Sequence, residues 1–92
     1  MRFEWDAHKN RLNIRKHGID FNDVTDMFRH PLLTMRDERE DYGERRWISV
    51  GWLHSMVGVV VHTEREGNVI RIISARKATK RETRRYVESL EN

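Results

Sequence analysis

Arg71 and Arg76 bracket the run Ile72-Ile73-Ser74-Ala75, and Lys77, Lys80, Arg81, Arg84 and Arg85 follow closely. A guanidinium presents its N–H donors as a planar fork that meets two phosphate oxygens at once. Purely structural strand positions are more often apolar or β-branched, so arginine at both ends of such a run suggests phosphate binding. The later cations fall on a helix, which spreads them around its axis.

A second group lies in the preceding hairpin. With a two-residue Glu66-Gly67 loop, Arg65 pairs with Asn68, and His62 lies opposite Arg71 with Glu64, Val60, Ile73 and Ala75 on the same face. Val57, Val59, Val61, Ile70 and Ile72 then form the other, more apolar face, which should meet the helices. A three-residue loop shifts this register. His, Glu and Arg in reach of one another suit RNA cleavage: a base takes the 2′-hydroxyl proton, an acid protonates the leaving oxygen, and a cation stabilises the phosphorane charge. The plainer alternative is a Glu64–Arg71 surface ion pair worth ~0–1 kcal/mol, with His62 a half-buried strand residue.

Lys9, Asn13 and His17 recur at i, i+4 and i+8 and share one helix face. They either line a cleft or form a solvated polar face. His8, His17, His30, His54 and His62 show no metal-ligand spacing, so no metal site is expected. Trp5, Trp47 and Trp52 can stack bases or build core; core is favoured for Trp52, and Trp47 stays open.

The 92 residues allow a single domain, 1–92. A chain this short buries only roughly 60–65% of its unfolded surface. Charged residues (36%) nearly equal hydrophobic ones (37%), a balance that would suggest disorder if evenly spread. The apolar residues instead cluster at 48–52, 57–61 and 69–73, which predicts a folded domain with a small core. A net charge of +3 and a pI of about 9.7 favour an acidic or polyanionic partner. The lack of cysteine excludes disulfides and thiolate metal sites and fits a reducing compartment. No signal peptide or apolar membrane span of ~20 residues is visible, so a cytoplasmic location is expected.

Phe3-Glu4-Trp5 alternates as a short strand or extended arm. Asp6 suits the N-cap of a helix from about Ala7 to His17, and Gly18 its left-handed stop. Leu12, with Ile14 nearby, is its thin apolar stripe. Asp20 or Asn22 caps a second helix whose inner face is Phe21, Val24, Met27 and Phe28, and Pro31 stops it. Residues 32–36 predict a strand and 37–44 an exposed acidic loop. Strands are expected at 45–53, 56–65 and 69–75. Thr79-Lys80-Arg81-Glu82 is a capping box opening a helix with Val87 and Leu90, joined by Tyr86 or Thr83, inside. The expected fold class is α+β: two N-terminal helices, a curved antiparallel sheet of about four strands, and a C-terminal helix.

Three segments together resemble the BrnT family of type II toxins, which share the RelE-like ribonuclease fold. They are Phe3-Glu4-Trp5-Asp6 with Lys9, Asn13, Lys16-His17-Gly18-Ile19 and Phe21; then Gly43-Glu44-Arg45-Arg46 leading to Gly51; then residues 71–78 with Glu82, Arg85 and Tyr86. The resemblance implies a bacterial ribonuclease toxin that blocks translation, with no cofactor and a shallow basic active surface. It implies a cognate antitoxin with a ribbon-helix-helix DNA-binding region, and operator DNA bound through the complex. Arg71, Arg76 and Lys77 gain weight from it, because RelE-like enzymes often rely on arginine and lysine. His62, Glu64, Arg71 and Arg76 are the catalytic candidates. Lys9, Asn13, His17, Lys77, Lys80, Arg81, Arg84 and Arg85 are the RNA-binding candidates. The antitoxin is expected to cover the first helix, the 62–71 hairpin and the start of the last helix. The alternatives are a non-catalytic nucleic-acid-binding or protein-interaction module, and a toxin fold whose activity has decayed.

Overall fold

Each helix starts where its capping residue predicts. Asp6 accepts from the Lys9 N–H at 3.0 Å, opening α1 (Ala7–His17), which ends on Gly18 at φ +70°. Asp20 caps α2 (Phe21–Val24), which tightens into a 3-10 helix over Thr25–Arg29. Thr79 and Glu82 form the reciprocal capping box of α3 (Lys80–Leu90). The strands are β1 (Arg2–Glu4), β2 (Leu33–Arg36), β3 (Trp47–Leu53), β4 (Met56–Arg65) and β5 (Val69–Lys77). The computed structural model describes residues 1–91.

The sheet has five strands in the order β1-β5-β4-β3-β2. Four pair antiparallel, as expected, and β1 adds a parallel edge against β5 with Phe3 beside Ile70. The extra strand is the N-terminal run that sequence left between strand and arm. Nothing local decides between the two, because its partner lies almost a chain length away.

The hairpin register differs from the two-residue expectation. Arg65 pairs with Val69 across a three-residue loop, in which Gly67 and Asn68 both have positive φ. His62 pairs with Ile72, Thr63 with Arg71, and Val61 with Ser74, so Ile73 is an extra residue at a bulge. Side chains alternate along a strand, so such shifts move residues between faces. Ile70, Ile72 and Ala75 therefore share a face with Val60, His62 and Glu64. Arg71 and Arg76 share the opposite face with Val59, Val61 and Thr63.

Both faces carry core. Ile19, Phe21, Val24, Met27, Leu53, Val60, Ile72 and Ala75 pack together on the α1–α2 side. Gly51 and Gly58 oppose each other there, and a Cβ on Gly51 would come within 2.6 Å of Leu32. That absence of side chains lets the segment around Pro31 close onto the sheet. On the other side Val50, Val57, Val59 and Ala78 surround Tyr86, whose hydroxyl donates to Pro31 O at 2.7 Å. Tyr86 alone carries the inner face of α3, while Val87 and Leu90, expected inside, are exposed. Trp52, expected in the core, is 39% exposed and forms a T-shaped pair with Tyr86.

The first helix inverts its expected orientation. Leu12 and Ile14 face solvent, while Asn10 and Asn13 are buried. Asn13 accepts from Ala75 N–H and donates to Ala75 O and Ile19 O, at 2.9 to 3.1 Å. Its amide supplies the partner that β5 lacks beyond the end of β1, so α1 docks by completing a strand edge.

Candidate nucleic-acid interface

Arg71 stands on the face of the sheet opposite α1. Glu4, its register partner on β1, reaches both Arg65 (3.2 Å) and Arg71 (3.8 Å). One carboxylate thus holds two guanidiniums, and the cationic side remains in excess. Thr63 lies beside Arg71 on β4, buried, with a hydroxyl that has no partner. Toward the C-terminal end of β5, Arg76 forms a bidentate pair with Glu82 at 2.8 and 2.9 Å. That bond holds the Glu82 carboxyl down at about 2 and raises Arg76 further above its usual value. The Arg76 side chain stays 42% exposed and able to meet a ligand.

The loop after β2 adds a third guanidinium. Asp37 is buried and Arg39 clasps it through two bonds of 2.8 Å, which holds the carboxyl at about 2. The charge of Arg39 is close enough to Arg76 to oppose it. Each of the two arginines is oriented by its own carboxylate. The loop is ordered as well: Arg46 lies 4.0 Å over the Tyr42 ring, and Gly43 N–H bonds Asp41. Sequence reasoning took it for a solvated acidic stretch and missed Arg39; the available signal was the Asp37-x-Arg39 spacing, since an aspartate readily bonds the backbone two residues on.

The expected cluster of His62, Glu64 and Arg71 does not form. His62 and Glu64 lie on the α1 side of the sheet and both arginines on the other. His62 is 3% exposed, packs edge-on against Phe28, and bonds Ser49 Oγ through Nε2 at 2.8 Å. Burial pushes its pKa down from 6.5 to about 4, so the ring is neutral. Glu64 is exposed at the strand end.

Lys9, Asn13 and His17 do share a groove with Ile73 and Ser74, along the open edge of β5. Asn13 is committed there to backbone groups, whereas Lys9 and His17 are exposed. Lys77, Lys80, Arg81, Arg84 and Arg85 are all exposed around the start of α3. Among the described residues no three His, Cys, Asp or Glu side chains form a metal-holding group, and no helix is long and apolar enough to cross a membrane.

The fold and site define a small α+β domain with arginines held by carboxylates on one face of its sheet. A family model described as "Ribonuclease toxin, BrnT, of type II toxin-antitoxin system" matches residues 5–82. The chain belongs to that family of ribonuclease toxins. Membership implies an antitoxin partner and an RNA substrate. The fold is similar to the 1.1 Å crystal structure of the Brucella abortus ribonuclease toxin BrnT, with a TM-score of 0.72 at 24% identity, covering 87% of this chain and 99% of that one. No curated protein matches.

Proposed function

We propose that this chain is a metal-independent endoribonuclease whose RNA surface is the arginine face of the sheet. Its cleavage of RNA inhibits translation in the cytoplasm. A ribbon-helix-helix antitoxin neutralises it by covering that surface, and the complex binds operator DNA. The observation that carries this reading is the placement of Arg71 and Arg76 on one face, each held by a carboxylate yet partly open.

The chemistry follows from which groups are free to act. The 2′-oxygen attacks the adjacent phosphorus, its proton passes to solvent, and the bond to the 5′-oxygen breaks, leaving a 2′,3′-cyclic phosphate and a 5′-hydroxyl that takes its proton from solvent. Negative charge builds on the phosphoryl oxygens, where guanidiniums stabilise it. Glu82, with its pKa near 2, is too weak a base to drive the attack. His62 is buried behind the sheet. Cationic stabilisation by Arg71, Arg76 and Arg39 is therefore the main contribution. Lys77, Lys80 and Arg81 extend the phosphate-binding surface, and Lys9 and His17 border it at the β5 edge.

Expression without antitoxin is the test. Growth should stop and cellular RNA should break down. Arg71→Ala and Arg76→Ala should each lower cleavage by about 10²-fold, the usual effect of losing one oxyanion-stabilising donor, with the fold retained. Intact RNA beside soluble, folded wild-type protein would leave a non-catalytic binding module.

A further inference from the structure

The half of the α1-side face that α1 and α2 leave uncovered forms a cleft, and nothing in the ribonuclease reading uses it. Phe28 and Leu32 form one wall, Trp47 the other, and Ile70 contributes to the lining. Trp47 and Phe28 are only partly buried. A polar chain runs through the same lining: Thr34 Oγ1 bonds Ser49 Oγ at 2.8 Å, and Ser49 Oγ bonds His62 Nε2 at 2.8 Å. His62 Nδ1 has no partner. However the two hydroxyl protons point, one ring nitrogen keeps an unused hydrogen-bonding group. The exposed Glu64 carboxylate stands at the rim.

Shallow grooves continue from the cleft on both sides. One passes Met1 and Phe28 to reach Arg29, and the other joins Trp47 and Glu64 to Arg45. An aromatic slot between two cations has the layout of a single-strand subsite, where a base stacks and the phosphates on either side meet positive charge. The carboxylate at the rim narrows the choice of occupant. Within the slot it would repel an acidic side chain but not a neutral base, and it can accept from an exocyclic amino group, which uracil lacks.

We propose that this cleft takes one unstacked nucleobase of the single-stranded RNA substrate, preferring bases with an exocyclic amino group over uracil. Trp47 is the stacking platform and Glu64 the acceptor for the amino group. Arg29 and Arg45 meet the flanking phosphates. His62 is a positioning residue that holds Ser49 and the wall of the slot. The strand would pass around the β4–β5 turn, joining this slot to the arginine face. This inference rests on the ribonuclease reading.

The experiment titrates cytidine, adenosine, guanosine and uridine separately into isotope-labelled free toxin and follows the Trp47 indole, His62 ring and Arg71 guanidinium signals. The amino-bearing nucleosides should shift Trp47 and His62 more than uridine does, and leave Arg71 unmoved. In cleavage assays Trp47→Ala should lower kcat/KM about tenfold, in line with the loss of one stacked base. Trp47→Phe, which keeps a ring in the wall, should retain most activity. Glu64→Gln, at an exposed site, should flatten the preference between cytidine- and uridine-containing substrates. If RNA is cleaved and perturbs Arg71 while no nucleoside moves Trp47, the slot is not a base site and the ribonuclease reading survives. If the antitoxin moves Trp47 and nucleosides do not, the slot is a protein-docking surface and the proposal is overturned. If RNA is neither bound nor cleaved, both readings fall together.

Discussion

The two faces of the sheet are finished in different ways. On the α1 side, Phe21, Val24, Met27 and Val60 are fully buried, and Asn13 ties the helix to β5 through backbone groups. On the α3 side only Tyr86 is driven fully into the sheet, and the area around Arg71 is left to charged side chains held by Glu4. The fully buried side chains are concentrated on the first face and the half-exposed arginines on the second. A domain this small cannot close both faces fully and still expose a cationic surface. Substitutions should therefore separate: those in the part of the α1 side packed under α1 and α2 change melting, and those at Arg71 change activity.

Asn13→Ala is the strongest challenge to that division. It leaves buried Ala75 N–H and C=O without partners, at a cost of about 4 kcal/mol. The melting temperature should drop by roughly 15 to 30 °C, at 4–8 °C per kcal/mol for a domain of this size. A variant that melts normally but fails to bind RNA would move Asn13 to the functional side.

His62 gives a comparison through pH. Its folded pKa lies near 4, below the 6.5 of the free group. The unfolded chain thus takes up a proton that the folded chain excludes. Stability is full above about 6.5 and declines as pH falls toward 4, by on the order of 3 kcal/mol. Asp37 and Glu82, both held near 2, lose their contribution at lower pH, so the two windows can be told apart. Denaturant melts of wild type and His62→Gln across pH 4 to 7 should show the slope only in the wild type. The same slope in both would mean that another group titrates there.

The smallest effect should come from Leu12→Gln. Leu12 is 47% exposed, so the change in stability should stay within about 0.5 kcal/mol. A loss above 2 kcal/mol would restore Leu12 to the core and undo the amide-anchored account of α1.

Local signals were legible in the sequence. Asp6, Gly18, Asp20, Pro31 and Thr79 marked the helix ends because capping chemistry acts over three or four residues. The strands of the 47–77 region were visible in their apolar alternation. The facing of the hairpin was not, because it depends on a third loop residue before Val69 and on the extra residue Ile73, and both show only in the strand pairing. The orientation of α1 was hidden for a related reason: hydrophobicity points to Leu12, and only the empty edge of β5 explains why Asn13 turns inward. Among the candidate site residues, Arg71 and Arg76 stay together on one face while His62 and Glu64 leave them. Glu4 went unread because Arg65 and Arg71 reach it only in the fold, whereas Arg39 went unread although its partner Asp37 is two residues away.

The parallel pairing of β1 with β5 also bears on when the protein can do harm. The strand β1 finds its neighbour only after Val69–Lys77 has been made, roughly 4 to 15 seconds after Glu4 at 5–20 residues per second. Until then Glu4 has no Arg71 to hold, and the α1 amide has no strand edge to complete. A reading frame broken upstream of Val69 should therefore yield a fragment without the β1 pairing and without Arg71 and Arg76. For the cell that carries the gene, inactivation by a single frameshift should be complete, and a partial toxin should be rare among survivors.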